Sequence, residues 1–303
     1  MTNNFYIEQE MMYSGSLGCR GCGWSMMVRY ISDIFGEDTV YVVPACCFSI
    51  IAGPYPMNAL KNNIVHSLFA ASAATASGVR AGLDAQGKNK TQVVVLAGDG
   101  GTFDIGLQAL SGAAVRNENI VYICNNNGAY MNTGIQSSSA TPMGAVTTTE
   151  PSVHFKKNNP KDLMAIIKAH QVPYSATASL AFLEDYRMKL QMAKKHYGFR
   201  FLMVDGICPP GHKIEPEDAI KVARLAVNSN AFPLFEIVEG KNKINHRPEN
   251  PIPVTEYLRL QGRFKHLFST NGNRDNRNSE ILEDIQRNVD ERWIELGGNI
   301  FNI

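Results

Sequence analysis

Two short polar groups follow neighbouring apolar runs in the middle of the chain. The group 98–101 (GDGG) comes directly after the run 93–96, and the group 125–127 (NNN) ends the run 120–124. Unbroken β-branched and aliphatic runs are typical of parallel strands that are buried on both faces. A helical pattern at 105–114 joins the two runs, so both polar groups are expected at strand carboxyl ends, where an open α/β sheet forms a ligand-binding crevice.

The residue types in these two groups favour a binding site for a divalent cation and a diphosphate. Asp99 offers an anionic oxygen and Asn127 a neutral carbonyl oxygen, and Mg²⁺ takes such ligands together with substrate phosphates. The glycines beside Asp99 let the backbone approach closely and offer N–H groups to an anion. The alternative interpretation is a tight turn followed by an Asn-rich turn. Residues 101–125 separate GDG from Asn126-Asn127, a gap of 25 residues that resembles the thiamine diphosphate motif.

Four cysteines form a second candidate site. Cys19 and Cys22 form a CxxC pair, while Cys47 and Cys208 each follow a predicted strand. Four thiolates suit either a [4Fe–4S] cluster or a tetrahedral zinc ion, and the spacing does not separate the two. Of the remaining cysteines, Cys124 is expected in the core, and Cys46 is the less favoured ligand of the Cys46-Cys47 pair.

Composition excludes several classes of function. The 303 residues carry 29 basic and 28 acidic side chains, a formal net charge of +1, which does not indicate a nucleic-acid or membrane-surface protein. No run approaches the roughly 20 apolar residues that a membrane span needs. The beginning of the sequence is polar and lacks the pattern of a signal peptide, so we expect a cytoplasmic, reducing location in which thiols serve metals or catalysis.

The rest of the pattern predicts an α/β fold, a doubly wound and mostly parallel sheet with helices on both faces. We expect one domain over 1–240 and a C-terminal extension over 241–303 that packs on a partner subunit. His66 begins one predicted helix and could be either a phosphate contact or a capping residue. The predicted elements are strands at 39–43, 172–176 and 201–204, helices at 24–35, 64–83, 160–170, 180–196, 215–226, 257–264 and 281–296, a loop at 48–63 and a polar functional loop at 130–150.

Nearly end to end, the chain resembles the β subunit of 2-oxoacid:ferredoxin oxidoreductases, most closely the pyruvate synthase branch. The stretches that carry the resemblance are GCRGCG, the Cys47-Phe48-Ser49 turn, VVVLAGDGGTFDIG, AYMNTGIQSSSATP with TTTEP, CPPG, and LFEIVEG with VTEYLRLQGRFKHL. The resemblance implies a thiamine diphosphate-binding fold of the PP type. It also implies oxidative decarboxylation of a 2-oxoacid with coenzyme A, with electrons passing through the cluster to ferredoxin.

The resemblance also implies roles for individual residues. It assigns the [4Fe–4S] cluster to Cys19, Cys22, Cys47 and Cys208, and Mg²⁺ to Asp99, Asn127 and the carbonyl of Ala129. It places Asn132 beside the thiazolium and the substrate as the catalytic residue. The further cofactor contacts that it implies are Gly98, Gly100, Gly101, Thr102 and Thr133.

Partner subunits follow from the same resemblance. An α subunit is expected to supply the pyrimidine-binding half of the thiamine site, and a γ or δ ferredoxin-like subunit or domain to carry further clusters. This chain alone is therefore expected to be inactive. No nucleic acid or membrane partner is expected.

The chain departs from the family pattern where acids usually stand, at Trp24, Ala70, Asn126 and Gly128, and also at Ser137 and His212. Like charges 4 Å apart repel by about 4 kcal/mol at an effective dielectric of 20, so fewer carboxylates would suit a more negative substrate such as oxalate, with no need for coenzyme A. Drift within the lineage is the alternative explanation.

Two rival functions stay open: a non-catalytic zinc-binding α/β scaffold, and a thiamine decarboxylase or synthase without a redox role.

Overall fold

Eight strands form one sheet in the computed structural model, which describes residues 6–268 and 276–299. The strand order is β2-β1-β3-β4-β6-β5-β7-β8; the first six of these are parallel, and β7 and β8 are antiparallel. The strands are β1 (Thr39–Pro44), β2 (Asn63–Ser67), β3 (Gln92–Gly98), β4 (Val121–Asn126), β5 (Tyr174–Ser179), β6 (Arg200–Asp205), β7 (Phe235–Val238) and β8 (Lys241–Ile244).

Helices cover both faces of this sheet. Val94 and Leu96 of β3 face one apolar core, which includes Met27 and Leu190, and Val93 and Val95 face the other. Successive residues of a strand point to opposite faces, so a strand that serves two cores is an unbroken apolar run. The helices are α1 (Gly23–Phe35), α2 (Cys47–Ala52), α3 (Ser72–Ala85), α4 (Leu107–Val115), α5 (Leu163–Ala169), α6 (Leu183–Lys195), α7 (Pro209–His212), α8 (Ala219–Asn228), α9 (Val254–Arg259) and α10 (Asn276–Glu295).

The predicted fold class is confirmed, since the sheet is mostly parallel and doubly wound. The predicted strands correspond to β1, β3, β4, β5 and β6, with ends that differ by a few residues. None of the described helices combines the length and apolarity that crossing a membrane requires.

Two predicted elements are wrong, and a third, the helix at 257–264, is divided between α9 (Val254–Arg259) and a 3₁₀ turn (Gly262–Phe268). Residues 64–83 are not one helix, because β2 pairs with the edge of β1 before α3 begins at Ser72. The β-branched pair Ile64-Val65 favours the strand, whereas the Ala- and Ser-rich run that follows favours the helix. Residues 48–63 are not all loop, because α2 occupies Cys47–Ala52 with Cys46 at its N-cap.

The C-terminal segment packs on the rest of its own chain. A third apolar core joins Val254 and Leu258 of α9 to Ala145 and to Ile285 of α10. A 3₁₀ turn, Gly262–Phe268, follows α9 and runs back towards the strand ends. Parts of both predicted domains (1–5, 269–275 and 300–303) lie outside the described residues, and packing of the 241–303 extension on a partner subunit stays a prediction.

Candidate functional site

Four parallel strands bring the sequence-predicted residues to the same edge of the sheet. Asp99 follows β3 and Asn127 follows β4, while Cys46-Cys47 follows β1 and Cys208 follows β6. The register pairs Gly98 with Asn125 and Asn126 with Asp205, so these neighbouring strands end at the same level. Carboxyl ends of parallel strands meet at one edge, which is how residues far apart in sequence come together.

A cavity of about 100 Å³ lies at this edge. Its walls combine the loops after β1, β3 and β4 with the start of α1 and Phe69. The predicted cofactor residues that line it are Gly98, Asp99, Gly100, Gly101, Asn127, Ala129, Asn132 and Thr133. Trp24, Cys46, Cys47, Tyr130 and Met131 line it as well.

Thr102 does not line this cavity. Its side chain is fully buried, and its hydroxyl donates a hydrogen bond to the Gly98 carbonyl oxygen at 2.7 Å. The hydroxyl of Tyr122 lies 3.3 Å from the same Thr102 oxygen. The Thr102 side chain therefore stabilises the turn that carries Asp99.

Asp99 is completely buried, and two groups donate to its carboxylate. The Ser138 hydroxyl donates to Oδ2 at 2.6 Å, and the backbone N–H of Asn127 donates to Oδ1 at 3.4 Å. Burial raises the pKa of Asp99 to about 7, and the hydrogen bond from Ser138 opposes that rise. A carboxylate desolvated in this way holds its negative charge more readily when a cation is nearby.

The side-chain amide of Asn127 stands between two oxygens. With its nitrogen turned towards Asp99, the amide donates to Asp99 Oδ1 at 2.9 Å and to the Ala129 carbonyl oxygen at 3.0 Å. Turned the other way, the amide oxygen faces the same two acceptors. Acceptors that face one another in a buried place need a donor or a cation among them.

A π-helical turn, Gly100–Ile105, shapes the cavity directly after Asp99. A Cβ atom on Gly100 would lie 2.4 Å from the Tyr130 ring, so only glycine fits there. The ring itself is fixed, because the Tyr130 hydroxyl donates to Asp104 Oδ2 at 3.0 Å and the ring packs edge-on against Phe69. Single π-helical turns occur frequently at functional sites.

The four cysteines predicted to bind a cluster lie close enough to influence one another. Burial raises the pKa of Cys47 to about 12, and repulsion from Cys208, Cys46, Cys22 and Cys19 contributes to this rise. Burial also raises the pKa of Cys208 to about 11. Within 6–268 and 276–299, no three His, Cys, Asp or Glu side chains converge closely enough to bind a single metal ion.

The two cysteines left out of the predicted cluster differ in position. Cys124 is fully buried in the core, as expected. Cys46 lines the cavity, and its thiol lies 3.9 Å from the Leu96 carbonyl oxygen. His66, the other open assignment, lies in β2 with Nε2 3.1 Å from the Gly53 carbonyl oxygen.

Sequence reasoning missed a second cavity, of about 320 Å³, which Asn127 also lines. Asp205, His212 and Arg263 line it, and all three are at least nine-tenths buried. His212 Nε2 lies 3.1 Å from the Asn127 carbonyl oxygen, and Arg263 Nη1 donates to the same oxygen at 3.4 Å. Arg263 is far from Asn127 in sequence, so no local pattern could have predicted this contact.

Comparisons with known proteins place the chain in a family. Residues 45–204 match the thiamine pyrophosphate enzyme family, C-terminal TPP binding domain. Ketoisovalerate oxidoreductase subunit VorB of Pyrococcus horikoshii is 44% identical over 95% of this chain and 93% of its own length. Pyruvate synthase subunit PorB of Methanothermobacter thermautotrophicus is 44% identical over 86% of this chain and 91% of its own. The chain belongs to the β-subunit family of 2-oxoacid:ferredoxin oxidoreductases.

A solved structure of similar fold agrees with this membership. A 2-oxoglutarate:ferredoxin oxidoreductase from Magnetococcus marinus superimposes with a TM-score of 0.59 at 18% identity, covering 97% of this chain and 94% of its own. At this identity the likeness shows the fold. The family model that matches residues 45–204 describes a thiamine diphosphate-binding domain. The cavity residues Asp99 and Asn127 fall within this range.

Gly100→Ala should abolish thiamine diphosphate binding, because the added Cβ would meet the Tyr130 ring at 2.4 Å. The measurement is calorimetric titration of the purified complex with thiamine diphosphate. Gly82→Ala is the matched control, since a Cβ there meets nothing within 4 Å. Tyr130→Ala in the Gly100→Ala background should restore part of the affinity. Unchanged binding by Gly100→Ala would contradict this account of the cavity.

Proposed function

We propose that this chain is the catalytic β subunit of a thiamine diphosphate-, Mg²⁺- and [4Fe–4S]-dependent complex that oxidatively decarboxylates a 2-oxoacid. The observation that carries the proposal is the shared cavity, in which Cys47 of the predicted cluster lies beside Asp99 and Asn127. When bound, thiamine diphosphate supplies the carbanion chemistry and the cluster takes up electrons one at a time. A wall common to both sites supports direct electron transfer between them.

Three oxygens fit the predicted Mg²⁺ site. The Asn127 amide position lies 2.9 Å from Asp99 Oδ1 and 3.0 Å from the Ala129 carbonyl oxygen. Adjacent ligands of an octahedral Mg²⁺ with bonds of about 2.1 Å are about 3 Å apart, so each of these two separations suits a pair of adjacent ligands. With the amide oxygen turned towards Asp99, these three atoms would bind the cation, and substrate phosphate would supply further ligands.

Four thiolates suit the predicted [4Fe–4S] cluster, and among the described residues no three ligating side chains converge on the single point that a zinc ion would need. A tetrahedral zinc ion gathers four sulfurs around one point at about 2.3 Å. In a cubane cluster each thiolate binds a different iron, so the sulfurs surround a larger body. The raised pKa values of Cys47 and Cys208 mean that cluster binding must release protons from these thiols.

Asn132 and Thr133 are the cavity residues best placed to meet a substrate. Both are exposed in this chain, whereas Asp99 is buried at the base of the same cavity. An exposed wall above a buried metal site is where a partner subunit would close the reaction space. Residues of this chain would thus hold the diphosphate end and leave one side of the substrate for the partner to cover.

Exposed apolar side chains around this edge support an α subunit as that partner. Leu17 and Tyr55 are 73% and 92% exposed, and Met57 and Leu68 are 83% and 80% exposed. Leu17 stands two residues before Cys19, and Leu68 directly follows β2. Large apolar side chains left exposed near a site are typical of a surface that another protein covers. A ferredoxin-like subunit and ferredoxin itself complete the proposed electron path.

The substrate is proposed to be a small 2-oxoacid of the pyruvate type. Relatives of near-equal identity are named for ketoisovalerate and for pyruvate, so both belong in a test. Oxalate is the alternative, favoured by the absence of acids at several positions near the site. Trp24, at one of these positions, is 2% exposed, stacks on Phe48 with ring centroids 5.0 Å apart, and lines the cavity.

Ser138→Ala should weaken Mg²⁺-dependent thiamine diphosphate binding by about 10- to 100-fold, the usual cost of losing an outer-shell hydrogen bond. Because burial raises the pKa of Asp99 to about 7, its carboxyl group must lose a proton to bind the cation, so affinity should rise as pH increases through about 7. Without the Ser138 hydrogen bond this rise should move to higher pH. The measurement is calorimetric titration of the complex between pH 6 and 9.

Two variants control this prediction. Ser138→Thr keeps the hydroxyl and should recover most of the affinity. Ser139→Ala removes a neighbouring hydroxyl for which the described residues give no hydrogen bond, and it should behave as wild type. Equal affinities and equal pH profiles in Ser138→Ala and wild type would refute the role of Ser138.

Cys47→Ser should lower the iron content of the anaerobically purified complex by about four atoms per β subunit, because it removes one cluster ligand. Cys46→Ser, one position away, should keep the full iron content. Iron, acid-labile sulfide and zinc are measured in parallel. Stoichiometric zinc in place of iron would favour the zinc scaffold, and equal iron in the two variants would contradict the assignment of Cys47.

A panel of 2-oxoacids tests the reaction. With all subunits, thiamine diphosphate and a viologen dye, we expect dye reduction by pyruvate or ketoisovalerate that depends on coenzyme A. Reduction by oxalate without coenzyme A would select the alternative substrate. This chain purified alone should give none of these activities, and a complex replete with cofactors that oxidises no member of the panel would refute the proposed reaction class.

A further inference from the structure

Arg263 is a buried cation behind the proposed metal seat. It belongs to the 3₁₀ turn Gly262–Phe268, beyond the family match at 45–204, and is 4% exposed. Its Nε donates to Gln261 Oε1 at 2.9 Å and its Nη1 donates to the Asn127 carbonyl oxygen at 3.4 Å. No carboxylate of the described residues pairs with it within 4.0 Å. Asp205 lines the same cavity, and attraction to Arg263 lowers the pKa of Asp205 against the larger rise that burial causes. Arg263 therefore has an electrostatic partner in Asp205 but no contact ion pair.

The same guanidinium adjoins the turn that carries Cys208. His212 Nε2 shares the Asn127 carbonyl oxygen with Arg263, at 3.1 Å, and the His212 backbone N–H donates to the Cys208 carbonyl oxygen at 2.8 Å. The Gly262 N–H donates to the Lys213 carbonyl oxygen at 3.1 Å, which ties the 3₁₀ turn to α7. The positive charge of Arg263 lowers the pKa of Cys208, against the larger rise caused by burial.

A buried charge at this place must favour the reduced state of a neighbouring cluster. When a thiolate-bound cluster takes up one electron, its charge becomes more negative by one unit and no bond or proton changes. A nearby cation stabilises that extra negative charge and raises the reduction potential. Because Arg263 is buried, salt and water screen this interaction little.

We propose that Arg263 is a positioning and tuning residue that serves both cofactors of the proposed reaction. Its hydrogen bond fixes the backbone of the Mg²⁺ ligand Asn127, and its charge raises the reduction potential of the cluster bound through Cys208. With both cofactors bound, electrons would come from the substrate as it loses CO2 and would pass one at a time through the cluster to a ferredoxin. This inference rests on the proposed function and adds a residue from the C-terminal segment to it.

Redox titration followed by electron paramagnetic resonance tests the charge. In the anaerobically purified complex, the signal of this cluster is the one that Cys47→Ser removes. Arg263→Met should shift its potential downwards, whereas Arg263→Lys should keep the potential near that of wild type. Lys213→Met is the matched control, because it removes an exposed cation that directly follows His212, and it should leave the potential unchanged.

A second measurement tests the hydrogen bond. Arg263→Lys lacks the planar fork of the guanidinium and should bind thiamine diphosphate about 10-fold more weakly, in the range of outer-shell substitutions. Arg263→Gln keeps a hydrogen-bond donor but removes the charge. The reduction potential of the cluster should therefore fall below that of wild type, while the affinity for thiamine diphosphate should stay higher than in Arg263→Met. Replacement of a buried ion by an apolar side chain of similar volume is often tolerated, and Arg263→Gln serves if Arg263→Met does not assemble.

The outcomes separate this inference from the proposed function. A wild-type complex with no signal that Cys47→Ser removes would overturn both. If the cluster is present and its reduction potential is the same in wild type, Arg263→Met and Arg263→Gln, the charge effect alone would be overturned. Equal thiamine diphosphate affinity in all Arg263 variants would overturn the positioning role.

Discussion

The convergence of four parallel strand ends is the constraint on which the rest of the structure depends. β1, β3, β4 and β6 are neighbours in the sheet, and their carboxyl ends lie at one edge. Residues as far apart in sequence as Cys47 and Cys208 meet there because the strand order places them together. The chemistry of the site is thus a consequence of topology, and the buried apolar strands that build the sheet also fix the distances between its polar loops.

Burial at this edge of the sheet raises the pKa values of its carboxyl groups. Asp99 and Asp205 are both buried, and burial raises the pKa of each to about 7. A carboxyl group held in this range can change its charge when a cation arrives, which couples metal binding to proton release. Ser138 and the Asn127 backbone limit this effect by donating to Asp99, so the turn supports the charged form before any cation is present.

Much of the fold follows from the sequence because its signals are local. Apolar runs predicted β1, β3 and β4, and polar residues after them located Asp99 and Asn127 in the cavity. The edge strand β2 and the short helix α2 were mispredicted, since five or six residues give too weak a period to separate helix, strand and loop. Arg263 and Ser138 were missed because their contacts to Asn127 and Asp99 depend on tertiary packing, which cannot be predicted from spacing along the chain.

The 3₁₀ turn Gly262–Phe268 also couples the C-terminal segment to the strand ends. Arg263 belongs to this turn and lies 136 residues from Asn127 in sequence, yet it donates to the Asn127 carbonyl oxygen. Local opening of this turn would therefore disturb the site while the strands of the sheet stay paired.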